Sequence, residues 1–296
     1  MHLRDFGRTA LDIRELQQVR AMRAERSRFA VHVASSPLGK MSVTDVQPKD
    51  VSAFVRDLQT KRTDDGTKRL SKGTVKNVLQ LVRNVFDVAI QEGHRKDNPC
   101  ATVSAPRENS AQDPWTFLTK EEVAAVECRA STYIGDMVVF ALRTGLRQGE
   151  QWNLHWDDVD LWSKTIRVRF GSKGHLPKSG KIRTVPMLPC VQTMLSYMQT
   201  FRRGRPLVFG TGRGEVLQQG APPGFEAFLK SCGIARHVRW HDLRHTCATA
   251  LLQGYWGGPW RLEDVRDFLG HSSVTVTEKY CHSSEGRLAA LAKGLL

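Results

Sequence analysis

Apolar residues recur at helical spacing through the first hundred positions of the chain. Val51, Phe54, Val55 and Leu58 fall on one face of a helix that can open at Pro48, where proline is tolerated because a first-turn N–H has no intrahelical partner. A longer stripe of Val75, Val78, Leu79, Val82, Val85, Phe86 and Ala89 predicts the main helix of this half, with Ser71 as its N-cap and Gly93 as its stop. Residues 11–34 lack Gly and Pro and are rich in Leu, Arg, Gln, Glu and Ala, which predicts a further helix ended by Pro37 and Gly39. Thr60 to Lys68 reads as a polar loop.

Asn98 to Pro114 holds three prolines and no apolar period, the pattern of a linker. Past it, Thr119-Lys120-Glu121-Glu122 is a capping-box pattern that opens a helix through Val123 and Val126. Ile134 to Leu142 reads as a buried helix interrupted at Thr144 to Arg147. Thr165 to Phe170 alternates apolar and cationic residues with period two, and Lys181 to Pro186 repeats the alternation across a loop rich in Gly and Lys. The two segments predict an antiparallel hairpin with a long tip. Helical character resumes after Pro189, and Leu288, Leu291 and Leu295 make a short apolar stripe in Arg287 to Leu296. The predicted fold class is mainly α with a small antiparallel β-sheet (α+β). It divides into a helical domain at residues 1–103, a linker at 104–114 and a second domain at 115–296 with a C-terminal tail helix.

Composition narrows the partner. At 296 residues the chain can bury two cores of ordinary size. Its net charge of +14 and pI near 9.8 favour an acidic partner, most often nucleic acid. Of that charge +7 lies in residues 1–103 and +7 in the rest, so neither half is a detachable basic tail and both domains can face one polyanion. No stretch approaches the roughly 18 to 20 apolar residues of a membrane helix, and the N-terminus has no signal-peptide core, so a cytoplasmic protein without a membrane partner is expected. Cys100, Cys128, Cys190, Cys232, Cys247 and Cys281 form no CxxC pair, so neither a disulfide framework nor a zinc ribbon is indicated and they read as reduced, mostly packing residues.

Taken singly, the reactive residues have ordinary explanations. His241 and Arg244, at i and i+3 of a predicted helix, share a face that could meet one anion or simply be solvated. His241 and His245 at i and i+4 match a zinc pair, but position 242 is Asp where the HExxH motif has a general-base Glu, and no third ligand is evident. Arg147 lies between Gly145 and Gly149, and Glu150 could pair with it or hold it in one orientation. Two guanidiniums, Arg147 and Arg244, suit the oxygens of one phosphate, because each offers a planar fork of donors. Lys178 stands among rival hairpin cations, Lys173 and Lys181. Tyr280, nine residues after His271, is by itself a packing residue with a polar tip.

Their conjunction resembles the tyrosine recombinases, or phage-type integrases. Thr144-Gly145-Leu146-Arg147-Gln148-Gly149-Glu150 is similar to the family's first arginine box and His241-Asp242-Leu243-Arg244-His245-Thr246 to its second. Leu269-Gly270-His271-Ser272-Ser273, with Tyr280 nine residues on, is similar to the third, and Lys178 stands eight residues before Pro186, as the family's hairpin lysine does. The resemblance is strong over residues 115–285. It is weaker for the helical unit, which resembles the core-site DNA-binding domain mainly through Val46 to Leu58 and Leu70 to Asn98.

The resemblance implies a site-specific recombinase that cleaves and rejoins duplex DNA through a 3′-phosphotyrosine, integrating and excising a mobile element. Alternatives are a chromosome-dimer-resolving, Xer-like recombinase and, further off, a type IB topoisomerase or a non-catalytic DNA-binding regulator. It implies Tyr280 as nucleophile, Lys178 as general acid, Arg147, Arg244, His241 and His271 around the phosphate, and Glu150 behind them. It implies no cofactor and no metal. The partners implied are double-stranded DNA, further copies of the chain in a tetramer on synapsed sites, and accessory DNA-bending or directionality proteins, in a bacterial cytoplasm and on the nucleoid when DNA-bound.

Two departures stand out. Arg244 and His271 are 27 residues apart, several more than the family pattern, and Tyr255-Trp256-Gly257-Gly258-Pro259-Trp260 reads as the insertion. General burial of Trp favours packing of Trp256 and Trp260 on their own domain over contact with DNA or a neighbouring subunit. Many members also carry an N-terminal arm-binding domain, whereas the helical unit here starts almost at Met1, so that domain is either lacking or outside the sequence.

Overall fold

The structure is a computed structural model that describes residues 1–17, 22–60, 70–106, 116–171, 174, 181–201, 204–218 and 220–271. It is mainly helical with one small antiparallel sheet, and it falls into two compact units, Met1–Gln112 and Asp113–Leu296.

In the first unit, α1 spans Leu3–Leu16, earlier than the helix expected from residue 11, and buries Leu3, Phe6, Ala10 and Leu11 on one face. Gly7 fits inside this helix because the Phe29 ring lies over it. A Cβ at position 7 would sit 2.0 Å from that ring. The single helix expected over 11–34 is divided: α2 spans Met22–Arg28 and continues as a π-helical turn, Phe29–Ala34. The charges that suggested an uninterrupted helix link the two pieces, with Arg14 bidentate on Glu25 and Arg26 held by Asp12 and Glu15. α3 (Pro48–Thr60) and α4 (Lys72–Gln91) follow the apolar stripes, and the Ser71 hydroxyl caps α4 by accepting the Thr74 N–H. The loop expected after Thr60 lies outside the described residues. Asn98 to Val103 closes onto α4: Asn98 donates to the Arg83 carbonyl and Asp87, and Cys100 and Val103 are buried.

In the second unit, the capping box at Thr119 forms in full, each partner accepting the other's backbone N–H, and opens α5 (Lys120–Cys128). The buried helix is α6 (Tyr133–Thr144), and α7 (Gln148–Trp152) follows. The sheet runs β1 (Val159–Asp160), β2 (Thr165–Val168) and β3 (Arg183–Pro186), all antiparallel, with Ile166 opposite Val185 and Val168 opposite Arg183. The hairpin is as expected, and β1 is an addition too short for a period-two signal. Helices α8 (Pro189–Thr200), α9 (Phe225–Ser231), α10 (Trp240–Gln253) and α11 (Leu262–Leu269) complete the unit. Most of α10 is buried, and it packs chiefly on α6.

The Tyr255 to Trp260 segment packs on its own unit. Trp256 lies under the Arg143 guanidinium, 4.2 Å from its ring centre, and Trp260 meets Phe268 edge-on at 5.3 Å. The segment lies between α10 and α11.

α6 ends at Gly145, whose φ of +58° is left-handed. A Cβ there would lie 2.3 Å from the Leu269 side chain and 3.1 Å from the Cys247 sulfur. Gly145→Ala is expected to destabilise the second unit by about 2–3 kcal/mol, from the αL cost and the crowding together. A fall in the thermal midpoint checks this, and an unchanged midpoint would contradict it.

Candidate active site

Three chain segments meet at one guanidinium. Arg244, on α10, is 3% exposed and donates to the Gly145 carbonyl at 2.6 Å and to the Leu269 carbonyl at 2.8 Å. One side chain thereby joins the turn after α6 to the end of α11. Arg147, in that turn, donates to the Gly270 carbonyl at 3.4 Å and to Glu150 Oε1 at 2.9 Å, while its backbone N–H donates to Glu150 Oε2 at 2.9 Å. The two arginines thus hold the same pair of turns from opposite ends.

Glu150 is the anionic centre. Its side chain is 1% exposed, and Arg183 meets it with two further bonds, at 2.9 and 2.7 Å. Burial alone would push its pKa up, but the hydrogen bonds and charge of Arg183, with the charge and backbone N–H of Arg147, hold it at about 2. The carboxylate is therefore ionised at any working pH. Two guanidiniums, Arg147 and Arg183, meet this one carboxylate, Arg244 is bonded to the neighbouring turns, and the excess positive charge suits a phosphodiester.

Sequence reasoning passed over Arg183. Its alternation with Ile182 suggested that the apolar neighbour points inward, but Ile182 is 55% exposed while Val185 is fully buried. Arg183 shares Val185's parity and therefore its face, and that parity was the available signal.

α10 opens on a capping box in which the Asp242 carboxylate accepts the Arg239 backbone N–H at 2.8 Å. The helix start therefore requires a carboxylate at 242. His241 and His245 follow at i and i+4 with ring centres 4.7 Å apart, edge to face. Burial and its neighbour His241 bring His245 down to about 4, and burial with the Arg244 and Arg147 charges brings His271 down to about 3. Desolvation and the Arg244 charge also lower His241. All three imidazoles are neutral near pH 7, so each can donate one hydrogen bond and accept another. Among the described residues no group of three His, Cys, Asp or Glu is placed to hold a metal ion, so the zinc reading of His241 and His245 finds no third ligand there.

Of the residues singled out in the sequence, Arg147, Glu150, Arg244 and His271 come together in this cluster, and His241 faces the charges of Arg244 and Arg147. Lys181 is exposed two residues before β3. Lys178, Lys173, Tyr280 and the apolar stripe of 287–296 lie outside the described residues.

Comparison with known proteins adds a second line. The signature described as "Phage integrase family" matches residues 116–287, and "Phage integrase central domain" matches 13–105. The chain is 27% identical over 250 residues to a XerC-like tyrosine recombinase of Caldanaerobacter subterraneus subsp. tengcongensis, covering 72% of this chain and 63% of that protein. It is 28% identical over 279 residues to the tyrosine recombinase XerD of Mycobacterium tuberculosis, covering 87% and 84%. In fold it is similar to the Tn1549 transposon integrase solved with a circular intermediate DNA, with TM-score 0.75, 21% identity and 95% of each chain covered. It is likewise similar to a lambda integrase dimer bound to a COC′ core site, with TM-score 0.68, 18% identity and 93% and 97% covered.

Proposed function

This chain belongs to the phage integrase family, the tyrosine recombinases, and from that premise we propose that it exchanges strands between specific duplex DNA sites, integrating and excising a mobile element. The observation that carries this reading is the Arg244 side chain, whose bonds to the Gly145 and Leu269 carbonyls gather all three family boxes around one cationic centre.

In the proposed reaction the Tyr280 oxygen attacks the scissile phosphorus, a Tyr–O–P bond forms, and the P–O bond to the 5′-oxygen breaks. A free phenol has a pKa of about 10, so the field of Arg147 and Arg244 favours the phenolate and neutralises charge growing on the phosphorane. His241 and His271 donate hydrogen bonds to the phosphate or pass the phenol's proton. Lys178 protonates the departing 5′-oxygen. The phosphotyrosine conserves the phosphodiester bond, so a 5′-hydroxyl from a second duplex reverses the steps and no nucleotide cofactor or metal is needed. The residues before about 104 serve as the core-site DNA-binding domain, those from 115 as the catalytic domain, and phosphate contacts dominate affinity. Four copies act on synapsed sites, accessory DNA-bending or directionality proteins set the outcome, and the enzyme works in the bacterial cytoplasm.

The 28% identity to XerD, over most of both chains, favours chromosome-dimer resolution as the second reading. A plasmid carrying two copies of the DNA that flanks the encoding gene separates the readings. Joining of the two copies supports mobile-element recombination. Joining only at a chromosomal site away from that DNA supports the Xer-like role, and relaxation without joining supports a type IB topoisomerase.

Lys178→Ala is expected to slow cleavage about 10²- to 10⁴-fold on an ordinary duplex, the usual contribution of a general acid. A 5′-bridging sulfur leaves without a proton, so a duplex bearing it should restore the rate. Absence of rescue would move the acid to Lys173 or Lys181.

A further inference from the structure

We propose that Arg183 is a positioning residue for strand cleavage, acting through Glu150 to keep Arg147 both oriented and electrically available to the phosphate. The inference rests on the proposed function and concerns a residue that lies behind the arginines rather than against the DNA.

The charge balance requires a residue of this kind. Glu150 is 1% exposed, and a buried carboxylate needs a counter-charge. Paired with Arg147 alone it would form a neutral couple, cancelling much of the attraction that Arg147 offers to a phosphate. Arg183 brings a second guanidinium to the same carboxylate, bonded to both of its oxygens, so Arg147, Arg183 and Glu150 together keep one net positive charge. Arg147 is the more exposed of the two, 26% against 13%, so the surplus charge faces outward at Arg147.

Geometry gives Arg183 the same task. Its fork fixes both carboxylate oxygens, one of which receives the Arg147 side chain while the other receives the Arg147 backbone N–H. The stem of Arg183 also underlies Gly270, at φ +68°, where a Cβ would lie 2.7 Å from Cδ and Nε of Arg183. The turn that supplies a carbonyl to Arg147, and that leads into His271, therefore rests on Arg183. Among the described residues the Arg183 Nε has no partner. Among the described residues its hydrogen bonds go to Glu150, and β3 brings it there five residues after Lys178 in the chain.

The test is single-turnover formation of the covalent adduct on a duplex taken from the DNA flanking the encoding gene, with gel-shift binding and thermal melting in parallel. Arg183→Ala is expected to form adduct about 100-fold more slowly, the cost of losing one aligned cationic support, while binding the duplex within about threefold of wild type. Arg183→Lys keeps the charge without the fork and should fall between the two. In a Glu150→Gln background the carboxylate charge is gone, so adding Arg183→Ala should cost little more. Should Arg183→Ala melt below the assay temperature, the Arg183→Lys pair, with and without Glu150→Gln, carries the same comparison. An Arg183→Ala rate equal to wild type, or an equal loss in both backgrounds, would overturn the proposal. Failure of the wild-type chain to form any adduct would instead count against the proposed function.

Discussion

Tyr280→Phe is expected to abolish the denaturant-resistant adduct with DNA while leaving duplex binding within about threefold, because the substitution removes one oxygen and no cation. The residual rate should be at least about 10⁴-fold below wild type, since no other phenol is suited to the task. The chain has four tyrosines. Tyr133 is committed to Gly210, accepting its N–H and donating to its carbonyl, and burial raises its pKa. Burial and the charges of Glu121 and Glu122 raise that of Tyr255. Tyr197 is exposed on α8, its ring tilted against that of Phe201 just past the helix end. A raised pKa is the wrong direction for a nucleophile that must lose its proton near neutral pH. Quantifying adduct on denaturing gels checks the prediction, and an adduct retained by Tyr280→Phe would refute the assignment.

Arg244→Lys should show the second-largest effect, about a 10³-fold loss of cleavage. The substitution keeps the charge, so charge alone predicts a mild phenotype. The bonding predicts otherwise. Arg244 spends one guanidinium nitrogen on the Gly145 carbonyl and another on the Leu269 carbonyl, and a single ammonium cannot span both and still meet a phosphate. Bonds from charged donors are worth about 1.5–3 kcal/mol each, so the thermal midpoint should fall as well. Arg244→Ala adds two buried carbonyls without donors and should melt lower still. Cleavage by Arg244→Lys within tenfold of wild type would mean that Arg244 acts as a point charge.

Much of the molecule is legible in its residues because local signals decide it. Ser71 and Thr119 cap the helices they were expected to cap, and the stripes of α3 and α4 are the buried faces. α1 and α2 were read as one helix because no Gly or Pro marks their division, and the early start of α1 was missed because Gly7 answers to the distant Phe29 ring. The cluster followed the same rule. Arg147, Arg244 and His271 were found through short motifs, whereas Arg183 was hidden in a strand alternation whose inward phase is set by Val185 rather than by Ile182. Likewise Asp242 looked like a departure from a metal motif until the helix start showed what that carboxylate holds.

The claim at the centre is that Tyr280 bonds to the 3′ side of a broken DNA strand. The direct measurement is to trap the wild-type chain on end-labelled duplex from the DNA flanking its gene, digest with trypsin and sequence the nucleotide-bearing peptide by mass spectrometry. Cleavage after Lys279 and Arg287 releases Tyr280 in a short peptide with no other tyrosine. A 3′-phosphoryl nucleotide on Tyr280 in that peptide and a free 5′-hydroxyl on the opposite end of the break are expected. A nucleotide on any other residue, or a linkage through the 5′-phosphate, would contradict it.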